Sequence, residues 1–122
     1  MTNAAGTLRL FLLSEVAMFV LASLLHRGIL ARGFAHAQAA TAESAIAMVL
    51  AIGLALAVHR PSVARAAALW SQTFALLGVC VGIGMILIGV GPRSPLDYGI
   101  HAVMLVTLVS GIATVRRQFA GA

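Results

Sequence analysis

The chain has 122 residues, of which 61% are hydrophobic and only 9% are charged, and its mean hydropathy is +1.06. A soluble domain of this size carries far more charge on its surface, so the composition excludes one. Because a membrane-spanning helix needs about 20 mostly apolar residues, the chain has room for four such helices and little else. We therefore predict a single integral membrane domain over residues 1–122, surrounded by the lipid bilayer.

Four apolar segments, separated by short polar stretches, predict four helices at residues 8–25, 39–58, 66–90 and 96–115. The turn before the third segment contains Pro61, and the turn before the fourth reads Gly91-Pro92-Arg93-Ser94-Pro95. Proline and glycine at these places are typical helix breaks. Short connections make consecutive helices antiparallel neighbours, so the predicted fold is an all-α, up-down-up-down transmembrane four-helix bundle.

All eight basic residues are arginines, and the formal net charge is +5. They flank the apolar segments and form no continuous basic face, so we predict no nucleic-acid partner. The side with both termini carries Arg9, Arg60, Arg65, Arg116 and Arg117, and the other side carries Arg27, Arg32 and Arg93. The larger number of arginines on the first side predicts that both termini lie in the cytoplasm. The difference is small, which leaves inverted or dual insertion open. The exclusive use of arginine, with many alanines, glycines and valines, is compatible with a bacterial inner membrane protein.

Small residues share one face of the third predicted helix: Ser71, Ala75, Gly78, Gly82 and Gly89. Small residues at such spacings let helix backbones approach closely in lipid. The preferred interpretation is packing within one bundle, and contact between copies of the chain is the alternative. We also expect the protein to form a homo-oligomer or to be a subunit of a larger membrane complex.

Several polar residues are predicted to meet at the outer end of the bundle, opposite the termini. The candidate ligand-binding residues there are His36, Glu43, Arg93, Asp97 and His101. Asp97 and His101 are four residues apart and share a helical face, and the preceding turn could place Arg93 beside the acids. Ionisable residues in membrane segments are costly to bury, which makes them functional candidates.

Two other interpretations of this cluster remain open. The acids could simply favour the positive end of a helix dipole or pair with Arg27, Arg32 or Arg93. Alternatively, a divalent metal such as zinc, nickel or copper could be held by His36, Glu43, Asp97 and His101. Their spacing follows no known ligand motif. Haem would need two axial imidazoles, for example His26 and His101, and we do not expect it.

Glu15 lies about half way along the first apolar segment among apolar neighbours. It could hydrogen-bond to Gln72 or Ser110 on a neighbouring helix, or extend toward the cytoplasmic side. It could instead act as a proton carrier that exchanges a proton for a cationic substrate. Glu15 and His26 are nearly three helical turns apart, so they share a face of the first helix.

The four helices and the single acid in the first helix resemble the small multidrug resistance exporters, which act as dimers through that acid. The resemblance implies a proton-coupled exporter with Glu15 as its carrier. The chain departs from that family because it lacks an aromatic-rich chamber, having only Trp70 and Tyr98 besides its phenylalanines.

A second resemblance covers more of the chain. Residues 36–44, 72–78 and 89–95, followed by Asp97 and His101, are similar to a group of uncharacterised small four-helix bacterial membrane proteins. In that group, too, a Gly-Pro-Arg turn precedes an aspartate and a histidine. The resemblance implies no activity, but it favours the outer cluster over Glu15 as the functional site.

The preferred functional prediction is a non-enzymatic binding or accessory protein whose outer cluster holds a ligand, a metal ion or a partner. The alternative is the proton-coupled exporter of small molecules. Enzymatic activity is less favoured, because the sequence has no nucleophile–base pair at a known spacing, nucleotide-binding loop or zinc-protease motif.

Overall fold

The computed structural model describes residues 3–120, which form four long helices and two short 3₁₀ turns. The helices are α1 (Ala4–His26), α2 (Ala37–His59), α3 (Ala64–Leu87) and α4 (Pro95–Gln118). All four are long and apolar enough to cross a membrane, which confirms the predicted all-α four-helix fold. The chain is therefore a small polytopic membrane protein.

The helices form a closed bundle in which each helix packs against the next in sequence and α1 packs against α4. Short connections between neighbours make consecutive helices antiparallel. The end that carries the α1–α2 and α3–α4 connections is called here the first-loop end. The other end carries the α2–α3 connection, whose 3₁₀ turn spans Pro61–Val63.

The predicted third helix is too long at its C-terminal end. It ends at Leu87 and not at residue 90, because Gly89 adopts a left-handed φ of +86° that an α-helix does not allow. The Gly89 and Val90 N–H groups donate to the carbonyls of Ile86 and Met85, which closes the last turn. Gly89 therefore does not belong to the small-residue face of α3, and this part of the prediction was wrong.

Other small residues pack helices together inside the bundle. A Cβ atom added to Gly53 of α2 would lie 2.8 Å from Ser71 Cβ on α3, and one added to Gly78 of α3 would lie 2.6 Å from Ile46 Cδ1 on α2. The α2 and α3 backbones thus approach closely at two levels. This agrees with packing within one bundle, and contact between copies stays a prediction.

We expect Gly53→Ala to destabilise the bundle by about 1–3 kcal/mol, because the added methyl group overlaps Ser71 at the closest approach of α2 and α3. The free energy of unfolding in mixed detergent micelles measures this loss. Gly84→Ala is the matched control, since a Cβ there meets no described atom within 4 Å. Adding Ser71→Gly should restore much of the loss, and equal stability of Gly53→Ala and Gly84→Ala would contradict the prediction.

Candidate functional site

A buried imidazole joins three helices at the first-loop end. The Nδ1 atom of His26 lies 2.8 Å from both carboxylate oxygens of Glu43, and its Nε2 atom lies 2.9 Å from Asp97 Oδ1. The three side chains are only 0%, 8% and 3% exposed, in that order. His26 ends α1, Glu43 belongs to α2 and Asp97 belongs to α4. We call these three residues the His26 cluster.

The hydrogen bonds of His26 indicate the net charge of the His26 cluster. A neutral imidazole has one N–H, yet both ring nitrogens of His26 face carboxylate oxygens. Either His26 is an imidazolium between two carboxylates, or it is neutral and one carboxyl group carries the second proton. In the first arrangement, one positive and two negative charges sum to one negative charge. In the second, the remaining carboxylate is the only charged group. The cluster carries a single net negative charge in both arrangements.

Local backbone features hold the cluster in place. Asp97 forms a capping box with Ser94 at the start of α4, accepting hydrogen bonds from the Ser94 N–H, at 2.8 Å, and from the Ser94 hydroxyl. His36 caps α2, because its Nδ1 accepts from the Ala39 N–H. The His36 N–H also donates to the His26 carbonyl at 2.7 Å, which folds the α1–α2 connection back over the cluster.

The arginines do not take the positions predicted for them beside the acids. Arg93 is exposed, and its Nη2 donates to the Gly89 carbonyl at 3.2 Å. Arg27 donates to the hydroxyl groups of Ser23 and Ser44. Within residues 3–120, His26 is the basic group that pairs with the acids of the bundle. The prediction that Arg93 lies beside the acids was wrong, and within residues 3–120 neither Glu43 nor Asp97 pairs with an arginine.

His26 was not among the predicted ligand-binding residues, although the sequence placed it at the outer end of the first helix, on one face with Glu15 and as a possible haem ligand. One signal could have identified it as the centre of the site. Glu15 and His26 share a face of α1, and both are buried, at 0% and 1% exposure. An inward-facing acid on α1 therefore indicates that the histidine also points inward.

The predicted metal ligands do not converge. Among the residues that the structure describes, no three histidine, cysteine, aspartate or glutamate side chains are arranged to hold a metal ion. His26 engages Glu43 and Asp97, while His36 is engaged in the helix cap and the Nδ1 atom of His101 lies 2.7 Å from the Asp97 carbonyl. The geometry does not support metal binding by this set.

A cavity of about 260 Å³ lies beside the His26 cluster, between α2 and α3, and we call it the wedge cavity. Its innermost level is the contact of Ile46 with Gly78. From there it extends to the turn at the first-loop end. Its inner wall is largely apolar and includes Phe19, Ile46, Val79, Ile86 and Met104, and its exposed rim includes Gln38, Ala42, Val81 and Met85.

Polar groups from two helices face the wedge cavity. Glu43 lines it from α2 and His101 lines it from α4. The Nδ1 atom of His101 is within hydrogen-bond distance of the Asp97 carbonyl and must donate there, because a carbonyl only accepts. In the neutral ring Nε2 is then an acceptor, and it lies against Gly82, 3.0 Å from the position of an added Cβ. His36 also lines the cavity, near the first-loop end.

Glu15 lies apart from this site, fully buried at 0% exposure. Gln72 Nε2 of α3 donates to Glu15 Oε1 at 2.9 Å and to Oε2 at 3.1 Å, as one interpretation of the sequence predicted. Gly111 of α4 covers the pair, since an added Cβ would lie 2.6 Å from Glu15 Oε1. Glu15 lines neither the wedge cavity nor the apolar groove between α1 and α4 that contains Met18. Its proposed role as a proton carrier stays a prediction.

Comparisons with protein-family models, curated proteins and solved structures found no match to this chain. Both sequence resemblances therefore stay predictions, and the function has to be argued from the His26 cluster and the wedge cavity.

Proposed function

We propose that the chain is a membrane-embedded binding protein whose wedge cavity takes a small, mostly apolar molecule by its polar end. The observation that carries the proposal is a buried carboxyl group, Glu43, and an imidazole, His101, facing a cavity of about 260 Å³ whose inner wall is largely apolar. Small-molecule sites typically combine an apolar lining with a few well-placed polar groups. Glu43 and His101 are the residues that would hold the polar end of the ligand.

The size of the cavity supports an occupant. The cavity opens at its rim, and its volume of about 260 Å³ leaves room for a small molecule, since one water molecule takes about 30 Å³ of liquid volume. A lipid acyl chain could fill the apolar part. It would offer no donor to the remaining acceptor positions of Glu43 or to the Nε2 atom of His101, which is unfavourable in a hydrocarbon environment. A molecule with an apolar body and a polar end can fill the apolar part of the cavity and also form hydrogen bonds with Glu43 and His101.

The route into the cavity supports a ligand that dissolves in the membrane. The exposed rim residues Ala42, Val81 and Met85 lie on neighbouring faces of α2 and α3, where the bundle meets lipid. With the orientation predicted from the arginines, this opening lies in the outer half of a bacterial inner membrane. The ligand then enters sideways from the bilayer.

The methionines of the chain allow a direct test of the proposed binding. Met85 and Met104 line the wedge cavity, whereas Met48 is 65% exposed on the lipid side of α2. Cyclohexylmethanol and cyclohexylmethylamine, titrated into protein with ¹³C-labelled methionine methyls, should shift the Met85 and Met104 signals saturably. The Met48 signal should move only with partitioning into the micelle.

The matched variants are Ala42→Trp, which fills the mouth of the cavity, and Ala45→Trp, which lies on the exposed surface of α2 outside the cavity. We expect Ala42→Trp to abolish the saturable shifts and Ala45→Trp to keep them. Parallel shifts of Met48, Met85 and Met104, or unchanged binding by Ala42→Trp, would rule out the wedge cavity as the site.

A further inference from the structure

We infer that the wedge cavity selects a lipophilic amine in its positively charged ammonium form over neutral or anionic molecules of the same shape. This inference rests on the proposed binding function and adds the chemical class of the ligand. Three features of the site carry it: the net charge of the His26 cluster, the hydrogen-bonding capacity left on Glu43 and His101, and the apolar body of the cavity.

The charge of the site favours a cation. With one proton in each of the two hydrogen bonds of His26, the His26 cluster carries one net negative charge, whichever partner holds each proton. Among residues 3–120, no lysine or arginine lines the cavity. The arginines nearest in sequence to His26 and Asp97 donate elsewhere, Arg27 to serine hydroxyls and Arg93 to the Gly89 carbonyl. A bound ammonium group would supply the missing positive charge in a setting where Coulomb attraction is strong.

The hydrogen bonds of Glu43 and Asp97 show which of the two acids can still accept a hydrogen bond from a ligand. Asp97 accepts from His26, from the Ser94 N–H and from the Ser94 hydroxyl. In the part of the chain that the structure describes, Glu43 is hydrogen-bonded only to His26, and it lines the cavity. A carboxylate has about four acceptor positions, so Glu43 retains capacity toward the cavity.

The acceptors of the site match the donors of an ammonium group. Glu43 and, in its neutral form, the Nε2 atom of His101 both accept, while the Nδ1 atom of His101 is engaged with the Asp97 carbonyl. A primary ammonium has three donors and no acceptor, so it can serve both groups. A carboxylate ligand has only acceptors and would meet the cluster with like charge. A neutral alcohol can donate only one hydrogen bond.

The test compares three probes with the same ring and different heads: cyclohexylmethylamine, cyclohexylmethanol and cyclohexanecarboxylate. Their affinities come from the saturable Met85 and Met104 methyl shifts at neutral pH. We expect the amine to bind at least about tenfold more tightly than the alcohol, because a hydrogen bond between ions is roughly twice as strong as a neutral one. The carboxylate should bind most weakly.

Two variants test the source of this preference. Glu43→Gln keeps the shape of the side chain and removes its charge, so the amine should lose its advantage over the alcohol. Gln38→Lys adds a positive charge at the exposed rim and should weaken the amine while sparing the alcohol. Thr41→Lys is the matched control, since Thr41 is exposed on α2 but does not line the cavity. Gln38→Lys keeps the test decisive if Glu43→Gln does not fold.

The outcomes separate the inference from the proposed function. If the alcohol shifts Met85 and Met104 as well as the amine does, the binding site stands and the preference for a cation is overturned. An amine advantage that survives both Glu43→Gln and Gln38→Lys also overturns the inference. If none of the three probes shifts these methyls saturably, the proposed function itself fails.

Discussion

Replacing His26 with alanine should lower the free energy of unfolding by about 3–5 kcal/mol, the range for removing one partner from a buried charged pair. The imidazole contacts carboxylates on two other helices, and its own side chain is 0% exposed. Without it, Glu43 and Asp97 lose the donor they share. Glu43 would then have no hydrogen-bond partner among the described residues, and Asp97 would keep only its contacts with Ser94, so buried charge would be left poorly compensated.

Two further variants separate charge from packing in this prediction. His26→Leu restores most of the lost volume but supplies no donor, so it should be nearly as unstable as His26→Ala. His59→Ala removes an exposed histidine from the end of α2 and should have little effect. Equilibrium unfolding in mixed micelles provides the comparison. Wild-type stability of His26→Leu would show that the cluster does not hold α1, α2 and α4 together.

Replacing Glu15 with alanine should cost about 2–4 kcal/mol, since it empties a packed site and leaves the buried Gln72 amide without its acceptor. Gln72 is 0% exposed, and its Oε1 atom has no hydrogen-bond partner among the described residues. The Gln72 side chain therefore has no hydrogen bond to another described residue that would reduce the loss of stability. Ser14→Ala, at the exposed neighbouring position, is the control and should be close to wild type.

Glu15→Gln distinguishes this structural role from transport. Glutamine keeps the length and an acceptor for Gln72, so the bundle should remain within about 1 kcal/mol of wild type, the usual worth of one hydrogen bond. It cannot carry a proton. If the chain is a proton-coupled exporter that uses Glu15, vesicles with this variant should lose proton-driven efflux of ethidium while the protein stays folded. Normal efflux by Glu15→Gln would end the exporter hypothesis.

The sequence was sufficient for the fold because four apolar segments of spanning length allow few other arrangements. The predicted C-terminal end of α3 was wrong, because the apolar pattern continues to Val90 although the left-handed Gly89 ends the helix. Composition does not reveal a left-handed glycine inside an apolar segment. The start of α4 was easier, because Ser94, Pro95 and Asp97 form a recognisable helix-start signal.

The candidate site was predicted in outline but not in its centre. The sequence placed Glu43, Asp97 and His101 at one end of the bundle, and Glu43 and His101 do line the same cavity. The apolar pattern alone could not assign His26, which is 1% exposed, to the interior and its exposed neighbour Arg27 to the surface. The face that His26 shares with Glu15 was the one signal for its orientation. Adjacent residues differ only by the rotation of the helix, which a uniformly apolar sequence does not determine.

The His26 cluster fastens α1, α2 and α4 to one another but includes no residue of α3. Among residues 3–120, the interhelical hydrogen bonds of α3 are those of Gln72, which lies nearer to the opposite end of that helix. Beyond Gln72, α3 is held by dispersion contacts, which lipid tails can replace at little cost. Between Gln72 and Leu87, α3 is therefore a part of the bundle that no interhelical hydrogen bond among the described residues ties to a neighbouring helix.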